Sequence, residues 1–139
     1  MTYRTARRVI LHAALLVLLA AVTAMPAKAT MAPAWIADEV ATRAAQYGAS
    51  PARVLAVIDC ETGGSFNPNV IGSAGERGLG QWLAGGHWYA TPHYREMGVD
   101  VRAMYRAGDP DAVYWDIDGL AWAFSPLAPA GFWRGWSCS

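Results

Sequence analysis

The N-terminal 29 residues most strongly constrain what this chain can fold into, because they decide how much of it belongs to the folded domain. Residues 1–8 carry three arginines and no acidic residue, and a run of 16 residues rich in Ala, Leu and Val extends from Val9 to Ala24. A small-x-small triplet follows at positions 27–29, and this order is typical of a secretory signal peptide. The apolar run is shorter than the roughly 20 residues that span a hydrocarbon core. We therefore predict a signal peptide over residues 1–29, with a retained membrane anchor as the alternative.

Removal of this segment leaves one domain, residues 30–139, and changes its charge. Four of the 11 basic side chains are lost and all 11 acidic side chains remain, which leaves a net charge of −4. A mildly acidic domain is poorly suited to bind nucleic acid or anionic lipid through charge. We expect no nucleic-acid partner, and contact with the membrane only transiently, through the N-terminal segment.

The domain keeps two cysteines, Cys60 and Cys138. Exported domains of this size usually pair their cysteines, because the compartment is oxidising and a small core gains from a cross-link. In the chain-entropy model, closing a loop of roughly 80 residues stabilises a fold by about 4 kcal/mol. The alternative is a zinc site that also uses His87 and His93, but these four residues lack the short paired spacings of structural zinc sites. We expect a disulfide and no metal or other cofactor.

Caps, breakers and apolar periodicity predict a mainly α domain. A first helix is expected to end at about Tyr47, before Gly48. Ser50 and Pro51 provide an N-cap and a first-turn proline for a second, mostly apolar helix, which must end at the glycines at 63–64. The predicted apolar stripe of the first helix comprises Trp35, Ile36, Val40, Ala44 and Tyr47.

The middle of the domain breaks this helical pattern. Residues 65–80 are rich in Gly, Asn, Ser and Pro, which predicts loops or a short irregular hairpin. We expect residues 81–83 to open a further helical stretch. Asp109 and Pro110 are expected to begin a buried helix that ends near Phe124, and two later prolines exclude a long terminal helix.

Glu61 is the candidate catalytic residue. It stands at the C-terminal end of the apolar second helix, directly before the break. Burial and the negative end of the helix dipole both disfavour a carboxylate, so both raise the pKa towards the value that a general acid needs near neutral pH. On position alone, an exposed helix-terminal glutamate without a role is the alternative.

Two short motifs follow one another from Glu61 onwards. Residues 61–68 read Glu-Thr-Gly-Gly-Ser-Phe-Asn-Pro, and residues 73–81 read Ser-Ala-Gly-Glu-Arg-Gly-Leu-Gly-Gln. They resemble the motifs Glu-Ser-x-x-Phe-x-Pro and Ser-x-x-Gly-Ala-x-Gly-Leu-x-Gln of the soluble lytic transglycosylases, members of the lysozyme-like superfamily. The Cys-Glu-x-Gly-Gly start and the C-terminal Gly-Trp-Ser-Cys are similar to the resuscitation-promoting factors, a resemblance that also implies a disulfide between Cys60 and Cys138.

The resemblance implies a compact lysozyme-like transglycosylase domain in which the irregular loop or hairpin segment forms one side of a cleft. It implies an exported enzyme that cleaves the β-1,4 bond between N-acetylmuramic acid and N-acetylglucosamine in peptidoglycan glycan strands. Glu61 would protonate the glycosidic oxygen, and the substrate's own acetamido group and 6-hydroxyl would complete a 1,6-anhydro product. We expect a monomer that is secreted, periplasmic or associated with the cell wall.

Four further residues are candidates for substrate binding. Thr62 replaces the serine that usually follows the glutamate and keeps a hydroxyl for a backbone group or the sugar. Gln81 is expected to orient a sugar acetamido group or a backbone turn, and Trp82 to form a wall on which a sugar ring stacks. Trp122 lies in Ala-Trp-Ala, the nearest match to the family's third motif Ala-Tyr-Asn, whose tyrosine supports the glutamate. Further candidates for the same wall are Trp88, Tyr89 and Tyr94, and residues 85–93 are expected to form part of the cleft rim.

A lysozyme-type hydrolase is one alternative, and it needs a second carboxyl group about 5 to 9.5 Å from the first. Glu76 is the best candidate, because it lies in the loop after Glu61 where the family usually has alanine, although a solvated loop acid is the alternative for it. Asp59 points to another face of its helix. Asp116 and Asp118 precede the third motif, and nothing specific indicates a role for them.

Two further alternatives belong to other classes. A catalytically silent peptidoglycan-binding module is supported by the altered third motif. A membrane-tethered form that opens the wall locally for a phage or a conjugation system would follow if the N-terminal segment is retained.

Overall fold

The computed structural model describes residues 31–83 and 92–138 of the chain. Five α-helices carry this part of the fold: α1 (Ala34–Tyr47), α2 (Pro51–Glu61), α3 (Pro92–Met97), α4 (Val101–Ala107) and α5 (Ala112–Ala123), followed by a 3-10 turn at Phe132–Gly135. Within these residues, strand pairing is limited to two isolated antiparallel bridges. The mainly α class that the sequence predicts is therefore confirmed, whereas the predicted signal peptide lies outside the described residues.

The first two helices begin and end close to the residues that the sequence predicts. Gly48 ends α1 in the left-handed conformation, with a φ of 69°, which glycine adopts without the steric cost that other residues carry. At the start of α2, the Ser50 side chain accepts a hydrogen bond from the backbone N–H of Arg53 at 3.4 Å, and Pro51 occupies the first turn. Because α2 is a core helix, its last residue, Glu61, is held at a fixed position.

The apolar core forms where α1 and α4 pack against α5, with α2 packed against α1. Its fully or almost fully buried side chains include Ile36, Val40, Val54, Ile58, Leu79, Val101, Ile117 and Leu120. Trp35, which the sequence places in the buried stripe of α1, is instead 46% exposed. It lies one residue from Ile36, and a step of one residue turns a side chain about 100° away from the buried face.

The last helix begins two residues later than the sequence predicts. The Asp109 side chain accepts a hydrogen bond from the N–H of Asp111 at 2.9 Å, and its carbonyl oxygen accepts one from the N–H of Ala112 at 3.2 Å. These two bonds form a turn that precedes α5, so Asp109 organises the helix start without being its N-cap.

The two short helices α3 and α4 were not predicted. α4 has ordinary terminal signals, since the Asp100 side chain accepts a hydrogen bond from the N–H of Ala103 at 3.0 Å and Gly108 ends the helix with a φ of 72°. It has only 7 residues. An apolar pattern over about two turns does not distinguish a helix from a loop.

Residues 65–80, for which the sequence predicts loops or a short irregular hairpin, form an irregular hairpin that extends to residue 82. Ile71 pairs with Arg77, and Arg77 pairs with Trp82, each in an isolated antiparallel bridge. The predicted helical start at residues 81–83 is wrong, because Gln81 has a positive φ of 49° and Trp82 exchanges backbone hydrogen bonds with Arg77 at 2.9 and 3.3 Å. Residues 81 and 82 close the hairpin instead.

A disulfide joins Cys60 to Cys138, as predicted, and their Cα atoms lie 5.9 Å apart. It ties the last turn of α2 to the C-terminal segment across 78 residues of sequence. The alternative zinc site is wrong, because the two sulfurs are bonded to each other, and His87 lies outside the described residues. Among the helices of residues 31–83 and 92–138, none is both long enough and apolar enough to cross a membrane.

Candidate active site

A cleft of about 400 Å³ lies between the C-terminal end of α2, the hairpin and the C-terminal segment. Its lining includes Glu61, Glu76, Gln81, Trp82, Trp136 and Ser137. The distant C-terminal segment therefore meets two elements that are neighbours in sequence, around the carboxyl group that the sequence singles out. A concave site with a few convergent polar groups is the usual form of a small-molecule binding site.

The carboxyl group of Glu61 is half-buried in this cleft. Its Oε1 accepts long hydrogen bonds from the backbone N–H of Cys138 at 3.4 Å and from the Ser137 hydroxyl at 3.5 Å. Burial raises the pKa of Glu61 above its ordinary value, the two hydrogen bonds oppose this rise, and the negative charge of Glu76 adds to it. The carboxyl therefore stays protonated to higher pH than an exposed glutamate does, which is what a general acid requires.

Glu76 brings a second carboxyl group into the same cleft. Its Oε2 accepts a hydrogen bond from the backbone N–H of Ala74 at 2.9 Å. The carboxyl packs against Gly72, where a Cβ atom would collide with it. The residue that sequence reasoning named as the best second carboxylate thus lines the cleft together with Glu61, while Asp59, Asp116 and Asp118 are outside the lining.

Gln81 lines the cleft and holds the hairpin. Its Nε2 donates to the carbonyl oxygen of Gly78 at 2.7 Å and, less closely, to that of Val70 at 3.4 Å. Of the two roles expected for this residue, the structure shows the bond to a backbone turn. The side-chain oxygen of Gln81 lies against Gly72, beside the Glu76 carboxyl.

Thr62 is buried and lies outside the cleft lining. Its hydroxyl donates to the carbonyl oxygen of Ile58 at 2.7 Å and accepts from the backbone N–H of Phe66 at 3.0 Å. The hydroxyl is thus used to close the turn after α2, the backbone role among the two that the sequence left open. Phe66 has a positive φ of 48°, and the Thr62 bond helps to hold that conformation.

Trp82 borders the cleft but is not a free stacking surface. Only 3% of it is exposed, and its indole N–H donates to Oδ1 of Asp116 at 2.7 Å. Its ring meets that of Trp136 edge to face, with centroids 5.5 Å apart. Trp136 donates its indole N–H to the carbonyl oxygen of Gly80 at 2.7 Å. Sequence reasoning missed Trp136 as a cleft residue, although its place two residues before Cys138 is a signal that could have found it.

The structure places Trp122, the expected support for Glu61, in the core and outside the cleft lining. Trp122 is buried, and it stacks on His93 with centroids 4.7 Å apart while Phe132 meets it edge to face. It is absent from the cleft lining. A large apolar ring in the middle of the buried helix α5 has little alternative to core packing. Of the other stacking candidates, Trp88 and Tyr89 and the side chain of Tyr94 lie outside the described residues.

Asp116 is the residue whose importance the sequence did not indicate. It is completely buried, and its two oxygens accept hydrogen bonds from the N–H groups of Leu79 at 2.6 Å and Gly80 at 3.0 Å. The Tyr105 hydroxyl at 2.6 Å and the Trp82 indole at 2.7 Å complete four donors. Burial raises the pKa of Asp116 to about 6, and these hydrogen bonds limit the rise. Asp116 therefore anchors the end of the hairpin that forms one side of the cleft.

Asp118 anchors a different part of the molecule. Its carboxylate accepts hydrogen bonds from Arg43 at 3.1 Å and from the Tyr47 hydroxyl at 2.9 Å, and it lies 3.3 Å from Nε2 of His93. Burial and the bond to this carboxylate raise the pKa of Tyr47 to about 12. These contacts tie α5 to α1 and α3, so Asp118 supports the fold and not the cleft.

Comparisons of the chain with protein-family models, curated proteins and solved structures found no match in any of the three. In the part of the chain that the structure describes, no group of three or more His, Cys, Asp and Glu side chains is arranged to hold a metal ion. The function must therefore be inferred from the residues of the cleft.

Proposed function

We propose that the chain is an exported enzyme that cleaves the β-1,4 bond between N-acetylmuramic acid and N-acetylglucosamine in peptidoglycan, with Glu61 as the general acid. The observation that carries the proposal is the half-buried carboxyl of Glu61, which ends a core helix inside a cleft and has a raised pKa. Cleavage of a glycosidic bond begins with protonation of the leaving oxygen, and a carboxyl of this kind supplies that proton.

The proposed reaction follows the lytic transglycosylase route that the motifs imply. Glu61 gives its proton to the glycosidic oxygen as the bond to the anomeric carbon breaks, which passes through an oxocarbenium-like transition state. The acetamido group of the substrate assists this step. The 6-hydroxyl of the same sugar then attacks the anomeric carbon and returns a proton to Glu61, which closes a 1,6-anhydro ring.

The disulfide supports an extracytoplasmic location. Disulfides persist in oxidising compartments, and the pair Cys60–Cys138 lies directly beside Glu61. Together with the predicted signal peptide, it supports a periplasmic, secreted or wall-associated protein. A monomer without a cofactor is proposed, acting on glycan strands.

Mass spectrometry of the muropeptides released from purified peptidoglycan by residues 30–139 tests the proposal. We expect 1,6-anhydro products from the wild type and a loss of about 100-fold or more in Glu61→Gln, which cannot donate the proton. Glu96→Gln, at an exposed position of α3, is the matched control and should retain the rate.

Equal release by the wild type and Glu61→Gln would contradict the role of Glu61. If neither protein releases products but both bind purified sacculi, the chain is a peptidoglycan-binding module.

A further inference from the structure

The two carboxyl groups of the cleft reach it from different elements. Glu61 ends α2, whereas Glu76 belongs to the hairpin. The proposed transglycosylase reaction uses Glu61 alone, so it leaves Glu76 without a role. A carboxylate next to the reacting sugar is nevertheless the group that hydrolytic glycosidases use to activate water.

The hairpin holds Glu76 in place before any substrate binds. The backbone N–H of Gly72 donates to the carbonyl oxygen of Glu76 at 2.9 Å, and that of Gly75 donates to the carbonyl oxygen of Gly72 at 3.0 Å. The N–H of Ala74 holds Oε2 of the carboxylate at 2.9 Å. Within residues 31–83 and 92–138, no protein group bonds the other oxygen, Oε1. The carboxylate is thus oriented by one oxygen and keeps the other for a ligand.

A second acceptor lies beside this carboxylate. The side-chain oxygen of Gln81 also lies close to the position that a Cβ atom of residue 72 would take. The amide nitrogen of Gln81 already donates to two backbone carbonyl oxygens. The Glu76 oxygen beside it is Oε2, which accepts the Ala74 N–H and, like the Gln81 oxygen, can accept a second hydrogen bond. A water molecule supplies two O–H donors at once and keeps its lone pairs for attack on carbon.

We propose that Glu76 is a second catalytic carboxylate, which deprotonates a water molecule in the cleft, so that the enzyme releases reducing ends by hydrolysis beside its 1,6-anhydro ends. The inference rests on the proposed function, since water attacks the same anomeric carbon whose leaving oxygen Glu61 protonates. The transglycosylase motif usually has alanine where Glu76 stands, and alanine has no group that takes a proton from water.

The hydrolytic branch balances without any further reactant. The proton of Glu61 passes to the glycosidic oxygen, and the bond between that oxygen and the anomeric carbon breaks. The oxygen of water forms a bond to the anomeric carbon, and one proton of the water passes to Glu76. Transfer of that proton through solvent back to Glu61 restores both groups, so each turnover consumes one water molecule.

Digestion of purified peptidoglycan in ¹⁸O-labelled water separates the two branches. A reducing end formed by hydrolysis gains one label from the solvent, whereas a 1,6-anhydro end gains none. We expect labelled reducing ends from the wild type and, in Glu76→Gln, a fall of about tenfold or more in the ratio of labelled reducing ends to 1,6-anhydro ends. The amide in this variant is close in size to the carboxylate and still accepts the Ala74 N–H, and Glu96→Gln again serves as the control outside the cleft.

A second variant tests the position of the carboxylate while leaving the residue itself in place. In Gly72→Ala the new Cβ atom meets the ends of the Glu76 and Gln81 side chains, which are flexible and can move aside. We expect this variant to stay folded and to shift the products towards 1,6-anhydro ends, as Glu76→Gln does.

Three outcomes overturn the role of Glu76: a wild type that forms only unlabelled 1,6-anhydro ends, an unchanged product ratio in Glu76→Gln, or equal loss of both products in that variant. Failure of the proposed function has a different signature. In that case Glu61→Gln leaves product release unchanged, or the wild type releases nothing.

Discussion

At the scale of single residues, two neighbours act on the acidity of Glu61 in opposite directions. The charge of Glu76 raises its pKa, and the hydrogen bond from Ser137 lowers it. A general acid must be protonated, so the rate falls as the pH rises through this pKa. Glu76→Gln removes a negative charge and should move the alkaline limb of the rate profile to lower pH. Ser137→Ala removes a donor that favours the carboxylate and should move the same limb to higher pH.

The measurement is kcat/KM for release of 1,6-anhydro ends from about pH 4 to about pH 9, since this ratio reports the pKa of the free enzyme. Limbs that move in the same direction in both variants, or that do not move, would show that Glu61 is not the group that titrates.

The same residues show how far the site can be predicted from sequence. Glu61 is located by local signals, namely the N-cap of its helix, its apolar pattern and the glycines that end it. The contacts of Trp82 are not local, because its indole meets Asp116, 34 residues later. The position of Trp122 is not set locally either, because a short motif does not specify which face of α5 turns towards the cleft.

At the scale of elements, the disulfide holds the C-terminal segment at the cleft together with the hydrogen bond from Trp136 to Gly80. Trp136 and Ser137 line the cleft, and Cys138 supplies an N–H to Glu61. Replacing Cys60 and Cys138 together by serine should lower the free energy of unfolding by about 4 kcal/mol, the loop-entropy value for a separation of 78 residues. The rate should fall further than the folded fraction does, because the segment leaves the cleft.

Urea denaturation measures the loss in the free energy of unfolding. The rate is measured at a temperature where the double variant is still folded, and it tests the effect on activity. A folded double variant with wild-type activity would show that the segment keeps its place without the bond.

Elements also differ in how well the sequence predicts them. α1 and α2 carry both a periodic apolar face and terminal signals, and these agree. α4 has the terminal signals alone over 7 residues, so its helical state depends on the packing of Val101 into the core. Residues 65–80 were predicted as loops or an irregular hairpin, whereas residues 81 and 82, which close the hairpin, were predicted to start a helix. Their true conformation has no local signal, because the carboxylate that anchors Trp82 belongs to Asp116 on α5.

At the scale of the whole molecule, α5 connects two halves through two buried aspartates. Asp116 and Asp118 are two residues apart, which turns their side chains about 200° from one another around the helix axis. Asp116 faces the hairpin and the cleft, whereas Asp118 faces α1 and α3. One helix thus connects the side of the molecule that carries the cleft to the rest of the fold.

This arrangement predicts that the two aspartates contribute similarly to stability but differently to activity. In Asp116→Asn, an amide hydrogen faces N–H donors such as that of Leu79, and in Asp118→Asn the charge that pairs with Arg43 is lost. Each change should lower the free energy of unfolding by about 2–3 kcal/mol. Only Asp116→Asn should also reduce the rate of product release below the unfolding transition, because it releases the backbone that borders the cleft. Asp38→Asn, at an exposed position, is the control for both variants. A rate loss in Asp118→Asn equal to that in Asp116→Asn would contradict the prediction and would mean that the two halves of the molecule move as one unit.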